Sequence, residues 1–220
     1  IKPIITIAQI VLGQLKLTPA NWEQIEELLR GEFAGADAIS LRAMRIALTK
    51  EQKEGNQNNS TQLILDHLTT STPDLEWQQL TPLKRINDLI KEVKKDYAKS
   101  KDISDLLWSI WSNAKNYEGE LISSAWQQQA LAGGNHGAIA DQNLDALITL
   151  FEVARRFSER LPGAKAGLFI DQLISEKILS DSISASAQRG EVVQVMTVHS
   201  AKGLQWRYVA LAGMQEGSWP

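Results

Sequence analysis

The chain has 220 residues, no cysteine and a formal net charge of −3. That is enough material for one or two domains with a real hydrophobic core. It excludes disulfides, thiolate metal sites and cysteine nucleophiles together, which fits a reducing cytoplasm. The overall charge gives no pull toward nucleic acid, so any such affinity has to come from a local patch. No apolar run approaches the roughly 18 residues of a bilayer span, so no membrane association is expected.

The opening IKPIITIAQIVLGQL lacks a small-residue cleavage pattern and reads as a buried helix rather than a signal peptide. Residues 18–30 place Trp22, Ile25 and Leu29 on one helical face, and residues 37–52 do the same with Leu41, Met44 and Leu48. In residues 81–100, Thr81 is the expected N-cap and Pro82 the first helical residue. Leu83, Ile86, Ile90, Val93 and Tyr97 then recur at three- and four-residue spacing. The polar face of residues 84–101 is basic, but Asp88, Glu92 and Asp96 interleave with the lysines, which favours a solvated face. Residues 104–117 gather Leu107, Ile110, Trp111 and Ala114. Residues 141–161 gather Leu144, Leu147, Phe151, Ala154, Phe157 and Leu161, and both segments are expected to be central packing helices. Arg155, Arg156 and Arg160 pose the same question as the lysines, and a solvated face again answers it.

Breaks between helices are expected at 54–60, 70–74, 132–137 and 162–167, where polar residues, proline and glycine cluster. His67 and His136 have no partners at zinc-ligand spacing, and His136 sits in AGGNHG, read as a flexible connection. Trp22, Trp77, Trp108, Trp111 and Trp126 are expected to pack in the core rather than stack on bases. No internal repeat stands out.

After the small-residue segment 182–190 the period changes. VVQVMTV (192–198) and YVALAG (208–213) are short, β-branched runs that read as two buried strands joined by a brief helical turn. A polar cluster at the carboxyl end of a buried strand is where α/β sheets bind ligands. Ser200 to Leu204 could open a short helix whose free N–H groups attract phosphate, while Gly203 permits close approach. Thr197 and His199 are two apart on a strand and so share a side. On spacing alone, a capped turn is the commoner explanation of such residues.

The run VVQVMTVHSAKGLQWRYVALAGMQEGSWP resembles motif V and its sequel in superfamily I DNA helicases of the UvrD, Rep and PcrA type. Their pattern is T-x-H-x-A-K-G-L-E-[FW]-x-x-V followed by G-x-x-E-G-x-x-P. Thr197, His199, Ala201, Lys202, Gly203, Leu204, Trp206, Val209, Gly213, Glu216, Gly217 and Pro220 fall on it. The helical remainder resembles more loosely the 2B subdomain that these helicases insert before motif V. GADAISLRAMRIAL, ALAGG and NLDALITLFEVARRFSERLPG look most like the actinobacterial AdnAB-type branch.

The resemblance implies a mainly α fold: a multi-helix, 2B-like insertion domain over 1–189, then a short β-turn-β piece of a RecA-like α/β domain over 190–220. It implies that Thr197, His199 and Ser200 contact single-stranded DNA and that Lys202, Gly203 and Gln205 lie near the nucleotide. Gln205 departs from the family, which carries a glutamate thought to hold the ATP ribose. Glutamine keeps one acceptor oxygen but loses the charge. The implied parent is a cytoplasmic, ATP- and Mg²⁺-dependent helicase that moves 3′ to 5′ on single-stranded and forked DNA in repair or recombination. Its implied partners are the remaining motor domains of the same chain and a helicase-nuclease partner subunit. These residues contain no G-x-x-x-x-G-K-[ST], no recognisable Mg²⁺-binding acid pair and no arginine motif after motif V. The chain is therefore expected to be a piece of a larger motor, with no catalytic residue, bound cofactor or activity of its own. Two other readings stay open: a non-enzymatic helical module that binds DNA or a partner, and a heterodimer subunit whose ATPase has decayed.

Overall fold

A computed structural model describes residues 1–50, 59–70, 80–175 and 207–211. The chain divides into two units, Ile1–Ala187 and Gln188–Pro220. Among the described residues there are nine α-helices and no strand, a mainly α fold. They are α1 (Lys2–Leu12), α2 (Trp22–Arg30), α3 (Ala38–Lys50), α4 (Ser60–Thr69), α5 (Thr81–Ser100), α6 (Ile103–Asn113), α7 (Ile122–Ala132), α8 (Gly134–Arg160) and α9 (Ala166–Ser175). No described helix is long and apolar enough to cross a membrane.

Helix α1 is buried on every side: Ile4, Ile5, Thr6, Ile7 and Ala8 are consecutive and all buried. A helix apolar all round belongs in the middle of a helical stack, and α1 packs against α2, α5, α6 and α9. Each fully buried isoleucine contributes about 1.5–3 kcal/mol relative to exposure, so this helix anchors the unit. The periodic positions of the other helices turn inward as their spacing dictates: Ile25 and Leu29, Leu41, Met44 and Leu48, Leu83, Ile86, Ile90 and Val93, Leu107 and Ile110, Leu147, Ala154 and Phe157 are all buried. Aromatic pairs lock the later helices together. Trp111 and Trp126 join α6 to α7 with ring centroids 5.2 Å apart, and Phe157 meets Phe169 edge-to-face at 5.3 Å between α8 and α9.

Two polar side chains brace this core. Asn87, fully buried in α5, donates from Nδ2 to the carbonyls of His67 (2.8 Å) and Thr70 (2.7 Å) at the end of α4. These carbonyls have no partner within their own helix, so the amide acts as a C-terminal cap supplied from outside. Gln14, just past α1, donates to Gly167 O at 3.0 Å and to Asp171 at 2.8 Å, holding α9.

Several expected boundaries move. The N-cap of α5 is Leu80, without a side-chain cap bond, so Thr81 is already helical and Pro82 lies in the first turn. Residues 19–21 form a single 3-10 turn before α2. Residues 115–117, expected to end the helix of Trp111, leave it: α6 stops at Asn113 because the chain turns into a tight loop at 114–121. The break expected at 132–137 shrinks to Gly133, and α8 begins at Gly134 with His136 in its first turn. Helix packing decides this. A Cβ on Gly137 would lie 2.8 Å from the carbonyl oxygen of Gln129, so α7 and α8 meet where one of them has no side chain. Leu161 is the exposed C-cap of α8 rather than a core residue. Of the two expected strands, 192–198 lies outside the described residues. Residues 207–211 are described and exposed, without regular secondary structure.

Candidate functional site

The residues expected to contact DNA, Thr197, His199 and Ser200, lie outside the described residues, as do the nucleotide-proximal Lys202, Gly203 and Gln205. Of the motif run, Arg207 to Leu211 are described, with Tyr208, Val209 and Leu211 exposed. The other feature that stands out in the sequence, the basic face of α5, is fully described.

Helical geometry sorts the charges of α5 into two bands. Lys84, Lys91 and Lys95 are two and three turns apart and form one outward stripe, with Lys94 beside it. Asp88, Glu92 and Asp96 follow at four-residue steps on the neighbouring band. That second band leans toward α6, because Asp96 accepts a hydrogen bond from Ser109 Oγ of α6 at 2.9 Å. Asp96 also pairs with Lys99 at 2.8 Å, and Glu92 pairs with Lys95 at 3.5 Å. The bonds from Lys99 and Ser109 hold the Asp96 carboxyl below the usual carboxylate range, and the bond to Asp96 raises the Lys99 ammonium. Lys84, Lys91 and Lys94 are exposed and make no ion pair among the described residues. Lysines and acids thus fall on adjoining bands of the helix, with Lys95 and Glu92 paired across the boundary.

Arg85, one residue from this stripe, does something the sequence did not disclose. Its guanidinium turns inward and donates to Ala34 O at 2.7 Å and to Tyr117 O at 3.0 Å; partial burial lowers its pKa from the ordinary value. The two carbonyls belong to loops 31–37 and 114–121, which touch: a Cβ on Gly35 would lie 2.5 Å from Tyr117 Cβ, and Gly35 has φ +72°. Only glycine tolerates both demands. In the second loop the Asn116 carboxamide oxygen accepts from the amides of Glu118 and Glu120, and Tyr117, next to Asn116, stands exposed. The one sequence signal for the staple was an arginine near the start of the helix, where the neighbouring cations are lysines.

On α8, Arg155 pairs with Glu159 and Arg156 with Glu152, each one turn away. Two of the three arginines of this run are thus paired on their own helix, and Arg160 is exposed at its end. Trp108 is 60% exposed and packs edge-to-face on Phe151, its centroid 6.1 Å away, so it is not the core residue expected. Trp22 is half-buried, with Nε1 donating to Glu26 and its face under the Arg45 guanidinium at 5.1 Å. Trp77 lies outside the described residues. His67 is tied by Nδ1 to Leu63 O within α4.

A model of the UvrD-like helicase C-terminal domain matches residues 36–220. The chain belongs to this family. The UvrD-like match takes in every helix from α3 onward together with the motif run, so the helicase family suggested by residues 192–220 holds for most of the chain. Curated relatives, each named as a subunit of an ATP-dependent helicase/nuclease, are similar over most of the chain. That of Bacillus licheniformis is 25% identical over 213 residues. That of Lysinibacillus sphaericus is 24% identical over 208, and that of Streptococcus sanguinis 23% over 185. The alignments cover 95, 93 and 77% of this UvrD-like chain but 15, 15 and 13% of the respective relatives. No solved structure matches the chain.

Proposed function

We propose that this chain is the 2B-like helical region, 1–189, and the motif V region, 190–220, of an ATP-dependent DNA helicase that moves 3′ to 5′ on single-stranded DNA and unwinds duplex in repair or recombination. The observation that carries the reading is the motif run lying within the segment matched by the UvrD-like family. In this reading Thr197 and His199 donate hydrogen bonds to the backbone of the single strand, with Ser200 beside them. Backbone contact is sequence-independent, which suits a motor that must pass every base. Lys202 and Gly203 shape the loop facing the nucleotide. The parent acts in the cytoplasm, and the compound name of the relatives suggests a helicase-nuclease partner. The phrases in α3, α7 and α8 favour an AdnAB-type branch.

ATP hydrolysis with Mg²⁺ belongs to the whole protein. The chain contains no phosphate loop, and among the described residues no group of three or more His, Asp or Glu could hold a metal ion. In this reading the isolated chain should neither hydrolyse ATP nor unwind DNA.

The deciding experiment is His199→Ala in the full-length protein, read by DNA-stimulated phosphate release. The motor reading requires a loss of more than about tenfold, ~1.4 kcal/mol of transition-state stabilisation. Unchanged activity would leave a helical binding module in which the polar cluster is a capped turn. Gln205 supports a second reading, a heterodimer member whose ATPase has decayed; full-length protein with no DNA-stimulated ATPase, restored by Gln205→Glu, would establish it.

A further inference from the structure

We propose that the apolar seam between α6 and α8, formed by Trp108, Leu144, Ile148 and Phe151, docks an amphipathic helix of a protein partner that carries lysine or arginine beside its apolar anchors. This goes beyond the helicase reading and does not depend on it. Single exposed apolar residues are ordinary on a protein surface, whereas an adjoining group of them marks an interaction site. Leu144, Ile148 and Phe151 follow at four- and three-residue steps on one side of α8. Trp108 joins them from α6, packing edge-to-face on Phe151 with centroids 6.1 Å apart. Trp108 is 60% exposed and Ile148 56%, while Leu144 and Phe151 are partly buried against the core. The indole edge is free as well. Trp22 and Trp126 donate their Nε1–H groups to glutamates, whereas that of Trp108 has no acceptor among the described residues.

Shape and charge choose the occupant. Asp102 accepts from the Ser158 hydroxyl at 3.3 Å and Trp108 meets Phe151, so residue numbers rise on α6 as they fall on α8 and the two helices run antiparallel. A seam between two such helices receives the apolar stripe of a third, and Leu144 to Phe151 spans about 10 Å, the two turns that a pair of anchors at i and i+7 covers. Tryptophan is also among the residue types that most often anchor a protein interface. The rim of the seam is acidic. Asp141 and Asp145 lie three residues before Leu144 and Ile148, exposed and without an ion pair among the described residues. Asp105, three residues before Trp108, accepts from Ser100 and likewise has no ion pair there. The cations of this part of α8, Arg155 and Arg156, are already paired with Glu159 and Glu152. A rim of this sign calls for cations on the partner. It weighs against the other occupants for the same reason: stacking platforms for nucleic-acid bases come with a basic groove, and a second copy related by a twofold axis would set acidic rim against acidic rim.

The probe is a synthetic helical peptide with leucine and tryptophan at i, i+3, i+4 and i+7 and lysines flanking that stripe, set against the same peptide with glutamates in place of the lysines. Binding of each to the full-length protein is measured by fluorescence anisotropy. The lysine peptide should bind saturably and at least about tenfold more tightly than the glutamate peptide, with the preference shrinking as salt rises. Trp108→Ala should weaken it by about 30-fold or more, the range of an interface hot spot, and Ile148→Gln should weaken it too. Both side chains are more than half exposed, so neither change threatens the fold. Asp141→Lys with Asp145→Lys leaves the apolar seam in place and should abolish the preference between the peptides. DNA-stimulated ATPase, which tests the helicase reading, should not change in any of these variants. No binding of the lysine peptide, equal binding of the two peptides, or binding that survives both Trp108→Ala and Ile148→Gln overturns the inference. Two further results would also overturn it: single-strand affinity lost in Trp108→Ala would make the indole a stacking platform, and self-association lost in Trp108→Ala would make a second copy the occupant.

Discussion

Helices α5 and α8 are both long, both amphipathic, and both carry cations that look alike in the sequence. On α8 each of Arg155 and Arg156 has a glutamate one turn away and is paired with it. On α5 the acids follow one another along an adjoining band, one of them bonded to the neighbouring helix, and Lys84, Lys91 and Lys94 are left without ion pairs among the described residues. The lesson is that spacing permits a pair without making one. Asp88 lies four residues from Lys84 and three from Lys91, yet forms no ion pair with either, whereas Glu152 and Glu159 at the same spacing do pair with their arginines.

The two helices should be equivalent in their inner faces, and the largest expected effects lie there. Ile90→Ala in α5 and Leu150→Ala in α8 each truncate a side chain that is at most 1% exposed, and each should cost about 2–5 kcal/mol in denaturant unfolding. A much smaller cost on either helix would mean that it docks only loosely on the core. The next effect separates the helices. Arg85→Ala removes two hydrogen bonds to loop carbonyls and should cost about 1–3 kcal/mol. Arg155→Ala removes an exposed ion pair and should cost no more than about 1 kcal/mol. Equal costs would break the distinction between a stapling arginine and a solvated one.

The smallest effect concerns acid. Because Asp96 has a lowered pKa in the folded chain, its bonds stabilise the fold above the unfolded value of about 3.9 and are lost as pH falls through the lower folded value. Ser109→Ala removes one of the two hydrogen bonds that lower it. The stability gap between parent and variant should be fully open between about pH 5 and 7 and should narrow below about pH 4. A gap independent of pH would show that Ser109 acts through packing alone.

Much of this was legible in advance, for a local reason. The inward positions of α2, α3, α5, α6 and α8 follow from apolar residues at three- and four-residue steps, and backbone geometry alone converts that spacing into a face. The contiguous run 192–220 carried the helicase family because its signature residues lie within one stretch. Where the reading failed, the missing partner lay on another helix. Gly137 continues a helix because it packs against Gln129 of the preceding one. Trp108 stays outside because α6 presents it at the edge beside Phe151.

By itself, then, the sequence determined the helical periodicity, the buried first helix and the family. Tertiary structure alone decided that Arg85 leaves the basic face to join loops centred on Ala34 and Tyr117, 51 and 32 residues away, and that Asp96 reaches Ser109 on the next helix. Helical spacing is a property of neighbouring residues, but whether a charge is satisfied depends on which segments the core brings together.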